Sequence, residues 1–433
     1  MELIPHGQQL VRGDRGKWQY LNNAWAVFAR IGAVASMTAS MRLLAAFARN
    51  VAKRSFRIAF ARIVATTRTA RSSRRNRLWL RSQRKPSACR RLLLFIGIRE
   101  FEETMAENVF ISVDALGGDN APQVVLEGVA AALAEDENLA VILCGPEEVV
   151  QPFADKHDRC IARATTEEIS MAEHPATAVR KKKDSSIVVG CRLVKEGQAQ
   201  GFFSAGSTGA CLAAGTLVMG RIKGIARPAL ATLVPSPAKP VVLCDVGANA
   251  DCKPEYLVQF AQMASIYAQD VLGVDNPAIG LLNIGEEEEK GSKFAQEAHA
   301  LLKEQVDGFK GNAEGRDVLD GPFDVIVCDG FTGNVCLKTI EGTAKTLFGE
   351  LKKILKSSLK AKIAAMSLKG GLKKMLSSID PDAAGGAPLL GVKGACIVGH
   401  GSSNARAIKN GVLASATYVR SGVSEKIAQT VQS

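Results

Sequence analysis

Residues 108–122 read Asn-Val-Phe-Ile-Ser-Val-Asp-Ala-Leu-Gly-Gly-Asp-Asn-Ala-Pro. The apolar run from Val109 to Val113 has the length of a strand, and an acid, a Gly pair and a second acid follow at once. That order is how an α/β sheet delivers a site: a buried strand ends, and the loop beyond it carries the chemistry. Asp114 sits where the strand stops. Gly117 and Gly118 let the backbone turn tightly and approach a ligand, with Asp119 next to them. The same pattern recurs downstream. Apolar runs at 109–113, 139–144, 200–204, 229–234, 240–245, 278–284, 323–328 and 395–398 read as strands. Stretches such as 122–135, 186–196, 208–219, 254–271 and 291–306 read as helices. Strands alternating with helices predict right-handed crossover units and a mostly parallel sheet, with ligands at the carboxyl ends of the strands.

The pattern starts more than a hundred residues into a chain of 433, long enough for two or three domains. Charge divides the chain at the same place. Residues 1–104 hold 21 Lys and Arg against 5 Asp and Glu, whereas the remainder holds 34 against 38. The overall charge of +12 therefore belongs to the first quarter, and a nucleic-acid role inferred from whole-chain charge is not expected. This quarter is read as a basic extension of low order. No uncharged run in it reaches 18 residues, so a membrane-spanning helix is not predicted. Its Arg, Ala and Ser content resembles a transit peptide, but Met105 directly precedes the first strand. The preferred reading is that the functional domain is 105–433 and that residues 1–104 are upstream over-translation. Nine of the ten Cys lie beyond this extension, with no CxxC pair and no metal-ligand spacing. They read as reduced, buried cysteines of a cytoplasmic enzyme.

The glycine-rich segments fall where strands end. Ser204-Ala-Gly206-Ser207-Thr208-Gly209 opens a helix with two glycines and several hydroxyls, an anion cradle of backbone N–H groups, or else an ordinary capped turn. Asp245-Val-Gly-Ala-Asn249-Ala-Asp251 presents three polar groups on a short turn, at least one of them expected to be a cap. In Asn283-Ile-Gly-Glu-Glu-Glu-Glu-Lys290-Gly291 the acids read as a solvated face, and Lys290 as a cation able to hold a phosphate. Asp329-Gly-Phe-Thr-Gly-Asn334 offers Asn334 as a hydrogen-bond donor or as a helix cap. In Gly399-His400-Gly-Ser402-Ser-Asn, His400 is the one His of five that lies beside a glycine-rich hydroxyl cluster. No nucleophile elbow, zinc-protease motif or dinucleotide fingerprint appears.

Taken in order, these segments resemble the bacterial phosphate acyltransferase family of phospholipid synthesis, the acyl-ACP:phosphate transacylases. Matching words are Val-Asp-Ala-Leu-Gly-Gly-Asp, Arg180-Lys-Lys-Lys-Asp-Ser-Ser186, Ser-Ala-Gly-Ser-Thr-Gly-Ala, Asp-Val-Gly-Ala-Asn-Ala-Asp-Cys-Lys-Pro, Leu-Leu-Asn-Ile-Gly-Glu-Glu-Glu, Asp-Gly-Phe-Thr-Gly-Asn, Gly-Gly-Ala-Pro-Leu-Leu and His-Gly-Ser-Ser. The resemblance covers roughly 107–428. Leu116, Ser207, Ala384, Gly399 and Asn404 depart from the usual family residues. The resemblance implies a three-layer α/β/α sandwich like that of phosphotransacetylases and isocitrate dehydrogenases, usually a homodimer, with no cofactor and no metal. It implies transfer of a long-chain acyl group from acyl carrier protein to inorganic phosphate. The product would pass to a membrane-bound glycerol-3-phosphate acyltransferase. Lys290 and Asn334 match the family's catalytic positions. The loops 117–119 and 204–209 are expected to shape the anion pocket, with Asp114, Asp245, Asn249, Asp251, His400 and Ser402 as further binding residues. A short-chain enzyme of the same fold using acyl-CoA is the alternative.

From Leu351 to Ile379 there are eight Lys and no acid. Leu351, Ile354, Leu355, Leu359, Ile363 and Met366 recur at spacings of three and four, one face of a helix. A helical hairpin over about 340–380 is expected, broken at Gly370-Gly371. Its base would pack on a second copy, and its tip, with Ile363, Met366 and Leu368 ringed by lysines, would dock on an anionic membrane surface from the cytoplasmic side.

Overall fold

The computed structural model describes residues 108–236, 239–358, 360–362, 365–368, 370–371, 382 and 385–431. The basic extension lies outside them. All described residues belong to one unit, Glu107–Ser433. Eleven strands form a single sheet: β1 Val109–Asp114, β2 Leu139–Gly145, β3 Cys160–Ala164, β4 Gly201–Ser204, β5 Ala229–Val234, β6 Val241–Cys244, β7 Ile279–Leu282, β8 Phe309–Ala313, β9 Val325–Val327, β10 Ala387–Leu390 and β11 Ala395–Val398. The helices are α1 Gln123–Glu135, α2 Glu147–Ala154, α3 Pro175–Lys181, α4 Ser186–Lys195, α5 Thr208–Ala214, α6 Pro254–Leu272, α7 Lys293–Gln305, α8 Asp317–Asp320, α9 Gly330–Lys356, α10 Ala405–Arg420 and α11 Val423–Thr430. The α/β class and mostly parallel sheet expected from the sequence are what is found.

The strand order is β3-β2-β1-β4-β11-β10-β5-β6-β9-β7-β8. Pairing is parallel from β3 to β11 and again from β6 to β8, while the junctions β11–β10, β10–β5 and β5–β6 are antiparallel. The sheet is thus two parallel halves of opposite direction joined through β10 and β5. Register decides where their loops emerge. Ile397 pairs with Pro388, Leu389 with Leu230, and Ala231 with Cys244. The end of β6 therefore lies nearly level with the end of β11, three strand spacings away, about 14 Å at 4.7–4.9 Å per strand. Loops from the two halves start near one line and leave in opposite directions. Strands β1, β2, β6 and β9 are almost wholly apolar and buried, as strands covered on both faces must be.

Three strands have no counterpart in the sequence reading. β3 and β8 are the two edges, and their Cys-Ile-Ala-Arg-Ala and Phe-Lys-Gly-Asn-Ala lack a continuous apolar run because one side is open. β10 holds only four residues, one of them Pro388. The helix expected over 208–219 is α5 followed by a π-helical segment, Gly215–Gly220. The chain bends at Ser357–Ser358, not at Gly370-Gly371, which are helical. There the Ser357 hydroxyl donates back to the Ile354 carbonyl, and the Ser358 hydroxyl accepts from the Ala361 N–H, ending one helix and starting the next.

Candidate active site

The predicted residues fall into two groups, one on each half of the sheet. In the first group Asp114 lies at the end of β1, wholly buried. Its Oδ2 accepts from the Ser204 hydroxyl at 2.7 Å and its Oδ1 from the Leu116 N–H at 3.0 Å. The Ser204 oxygen in turn accepts from the Gly206 N–H at 3.0 Å. Burial pushes the Asp114 carboxyl above its ordinary range, against these donors. Gly117 is required here, because a Cβ would stand 2.8 Å from the Gly206 nitrogen. Gly118 has φ +112°, and the Asp119 N–H donates to the Gly401 carbonyl at 2.7 Å. The loops after β1, β4 and β11 are thereby knit together. Asp114 and Ser204, expected to face the substrate, face the protein: a fully buried carboxyl and hydroxyl serve best by holding the loops. Ser207 is the α5 cap, accepting from the Ala210 N–H. Asp119, Thr208, His400 and Ser402 remain exposed beside them, and Gly209 is half-buried. His400 Nδ1 lies 2.8 Å from the Ser402 oxygen.

A cavity of about 430 Å³ opens at the carboxyl ends of β1, β2 and β3, but Glu147, Glu148, Glu167 and Glu168 line it. Four carboxylates repel an anion, so this cavity is not a phosphate site.

The second group is built on β6, β7 and β9. Asp245 is buried at the end of β6. Its two oxygens accept from the backbone N–H groups of Leu230, Gly247, Ala248 and Asn249 and from the Asn249 side chain, at 2.7–3.1 Å. Asn249 also donates to the Pro228 carbonyl at 2.8 Å. Both residues, expected as ligand contacts, are spent on the turn itself. Burial is the largest influence on Asp245 and raises its carboxyl despite those donors. Asp251 is exposed. Asp329 caps α9, accepting from the Thr332 N–H at 2.9 Å and its hydroxyl at 2.6 Å. Asn334 is therefore not needed as the cap. It lies exposed in the first turns of α9 against Gly247. The approach of these loops depends on Gly333, where a Cβ would fall 2.0 Å from the Asp245 carbonyl oxygen.

The four acids after β7 are exposed, as expected of a solvated face, but two of them are paired and the loop's backbone is tied down. Glu286 pairs with Arg316 at 2.9 Å and Glu288 with Lys303 at 2.6 Å. The Glu287 carbonyl accepts from Asn312 at 2.7 Å, the Glu289 carbonyl accepts from Gln296 at 2.5 Å, and the Lys290 carbonyl accepts from Asn283 at 3.1 Å. The loop is pinned from behind at every residue from Glu286 to Lys290. Among the described residues no carboxylate lies within ion-pair distance of the exposed Lys290 ammonium. Asn312 and His299, which contact this loop, carry no local signal in the sequence: Asn312 lies on the unexpected strand β8, and His299 lies on an expected helix but far from the loop in sequence.

The sequence that builds these loops is similar to that of known proteins. The family "Fatty acid synthesis protein" matches residues 109–426. A phosphate acyltransferase of Desulfitobacterium hafniense is 48% identical over 321 residues, covering 73% of this chain and 96% of that protein. One from Bacillus licheniformis is 46% identical over 323 residues, 74% of this chain and 98% of that protein. The chain belongs to this family of bacterial phosphate acyltransferases. Acyl transfer is the chemistry of that family. Among solved structures, a phosphotransacetylase from Streptococcus pyogenes aligns at TM-score 0.46 with 17% identity, covering 75% of this chain and 99% of that one.

For an acyltransferase the cysteines matter as rival nucleophiles. Nine described cysteines are free thiols, seven of them buried. Cys252 and Cys336, half-buried near the second group, are both pushed up by burial, Cys252 to about 11. Neither is a thiolate at neutral pH.

Proposed function

We propose that this protein transfers a long-chain acyl group from acyl carrier protein to inorganic phosphate, giving acyl phosphate and free carrier. The carrying observation is Lys290: an exposed cation with no carboxylate within ion-pair distance among the described residues, on a loop where Glu286 and Glu288 already pair with Arg316 and Lys303. A phosphate can pair with it without displacing a carboxylate. Asn334 supplies a donor with no structural duty, since Asp329 caps its helix. In the reaction a phosphate oxygen forms the new C–O bond at the thioester carbonyl, and Asn334 donates to the oxyanion. The C–S bond then breaks, and the carrier sulfur leaves as a thiol, taking the proton that the attacking hydrogen phosphate gives up. Lys290 holds the phosphate against the carbonyl, which removes most of the entropic cost of the encounter. Direct attack fits a site whose nearby thiols are protonated. The exposed rim of the first group, Asp119, Thr208, Gly209, His400 and Ser402, contributes to substrate binding on this reading.

Two further proposals concern partners. Beyond its first turn α9 is largely exposed, with Leu347 and Ile354 outward, and a second copy of this helix would cover it in a homodimer. No described helix is long and apolar enough to cross a membrane. Met366 and Leu368 are 74% and 57% exposed, and a lysine-ringed tip of this kind would rest on anionic lipid and hand its amphiphilic product to a membrane acyltransferase. Ile363 lies outside the described residues. Replacing Ile363, Met366 and Leu368 by Glu should release the protein from anionic liposomes.

The deciding assay follows acyl-ACP consumption with and without phosphate, and with acetyl-CoA in its place. Phosphate-dependent turnover of long-chain acyl-ACP is expected. Turnover of acetyl-CoA alone would favour the short-chain alternative.

A further inference from the structure

We infer that His299 and Asn312 are positioning residues for Lys290, a buried pair that fixes the loop from behind. The inference rests on the reading of Lys290 given above. His299, on α7, and Asn312, on β8, are only 4% and 5% exposed, an imidazole and an amide packed under a charged surface loop. Asn312 Nδ2 donates to the Glu287 carbonyl at 2.7 Å, which sets the orientation of the amide. Its Oδ1 then faces His299 Nδ1 at 3.0 Å, so Nδ1 carries the proton and donates. The other ring nitrogen faces Glu288 at 3.8 Å, the carboxylate that Lys303 also holds. His299 is further fixed edge-on by the Phe309 ring, centroids 5.1 Å apart.

The chain of contacts ends on the reactive residue. The Glu287 carbonyl that takes the Asn312 proton also accepts from the Lys290 N–H, at 3.1 Å. One carbonyl therefore closes the turn on Lys290 and anchors it to the sheet. Losing the Asn312 donor would cut the Glu287 carbonyl from the sheet, leaving the loop to the bonds at the Glu289 and Lys290 carbonyls and to exposed ion pairs, which are weak. A displacement of about 1 Å in a group that positions a reactant can cost on the order of 10²-fold in rate.

Asn312→Asp tests this in a near-isosteric side chain. It keeps an acceptor for His299 and removes the donor to Glu287. We expect a loss of about 10- to 100-fold in kcat/KM for phosphate, as for a misplaced reactant-holding group. The unfolding midpoint of the full chain should drop little. The decisive arm is the same change in a Lys290→Ala background, where it should cost almost nothing further, because groups acting through one residue are not additive. An equal fold-loss in both backgrounds would overturn the inference while leaving the role of Lys290 intact. Normal turnover in Lys290→Ala alone would overturn both. If Asn312→Asp does not fold, His299→Gln and His299→Leu give the same answer. Gln keeps a donor for Asn312 and should retain near-normal turnover, whereas Leu should raise KM for phosphate. Equal behaviour of Gln and Leu would contradict the pair's role.

Discussion

The loop after β4 and the loop after β7 trade characters between sequence and space. Ser204–Gly209 has the hydroxyls and glycines of an anion cradle, yet its first hydroxyl is consumed by the buried Asp114 and its next by the cap of α5. Asn283–Gly291 is an exposed acid run, yet two of its acids are paired, three of its carbonyls are tied down and one cation is left outward. Polar residues in a loop are available to a ligand only after the loop has satisfied its own backbone and burial needs. The first loop is built from its polar side chains; the second is built by its neighbours, which frees Lys290.

The sharpest way to break this contrast is Asn334→Ala. Removal of one oxyanion donor costs about 10²–10³ in kcat, and nothing in the fold should change because Asp329 caps the helix. A near-normal kcat would remove Asn334 from the chemistry. Ser204→Ala should instead act on stability. It strips a partner from a buried carboxyl and from the Gly206 N–H, a cost of about 1–3 kcal/mol read from denaturant unfolding. Unchanged stability with lost kcat would make Ser204 part of the chemistry.

Asp114→Asn reads the same scaffold through pH. The Asp114 carboxyl is raised by burial in the folded chain, so the native state favours its protonated form. Its contribution to stability is complete below the ordinary carboxylate range and fades as pH rises through the raised folded value. The wild-type melting temperature should therefore fall, relative to Asp114→Asn, as pH rises above the ordinary carboxylate range of about 4. Asp245, raised likewise, stays in both proteins and cancels in the comparison. Parallel curves would mean that Asp114 titrates normally. The smallest effect is expected at Thr208→Ala. Loss of one neutral hydrogen bond, about 0.5–1.5 kcal/mol, should raise KM for phosphate about threefold to tenfold with kcat kept.

Much of the fold was legible because buried parallel strands announce themselves. Val109–Asp114, Ala229–Val234 and Ala395–Val398 stand within a residue of their expected limits. The edge strands were illegible because an open side tolerates Arg163 and Lys310, which breaks the apolar run. At the site, the sequence marked the right loops but not which polar groups each loop keeps for itself. Asp245 and Asn334 look alike as polar residues after a strand. Only the five donors around Asp245 and the cap at Asp329 tell them apart. The braces behind Lys290 come from α7, β8 and Arg316, up to 30 residues away, beyond the reach of a local pattern.

The claim that Lys290 is the phosphate-holding cation is tested most directly by the phosphate dependence of Lys290→Ala and Lys290→Arg, measured on the full chain with acyl-ACP. Ala should lose at least about 10²-fold in kcat/KM for phosphate, as expected for a lost reactant-positioning group, at an unchanged unfolding midpoint, and Arg should recover part of it. Wild-type phosphate dependence in the Ala variant would contradict the account.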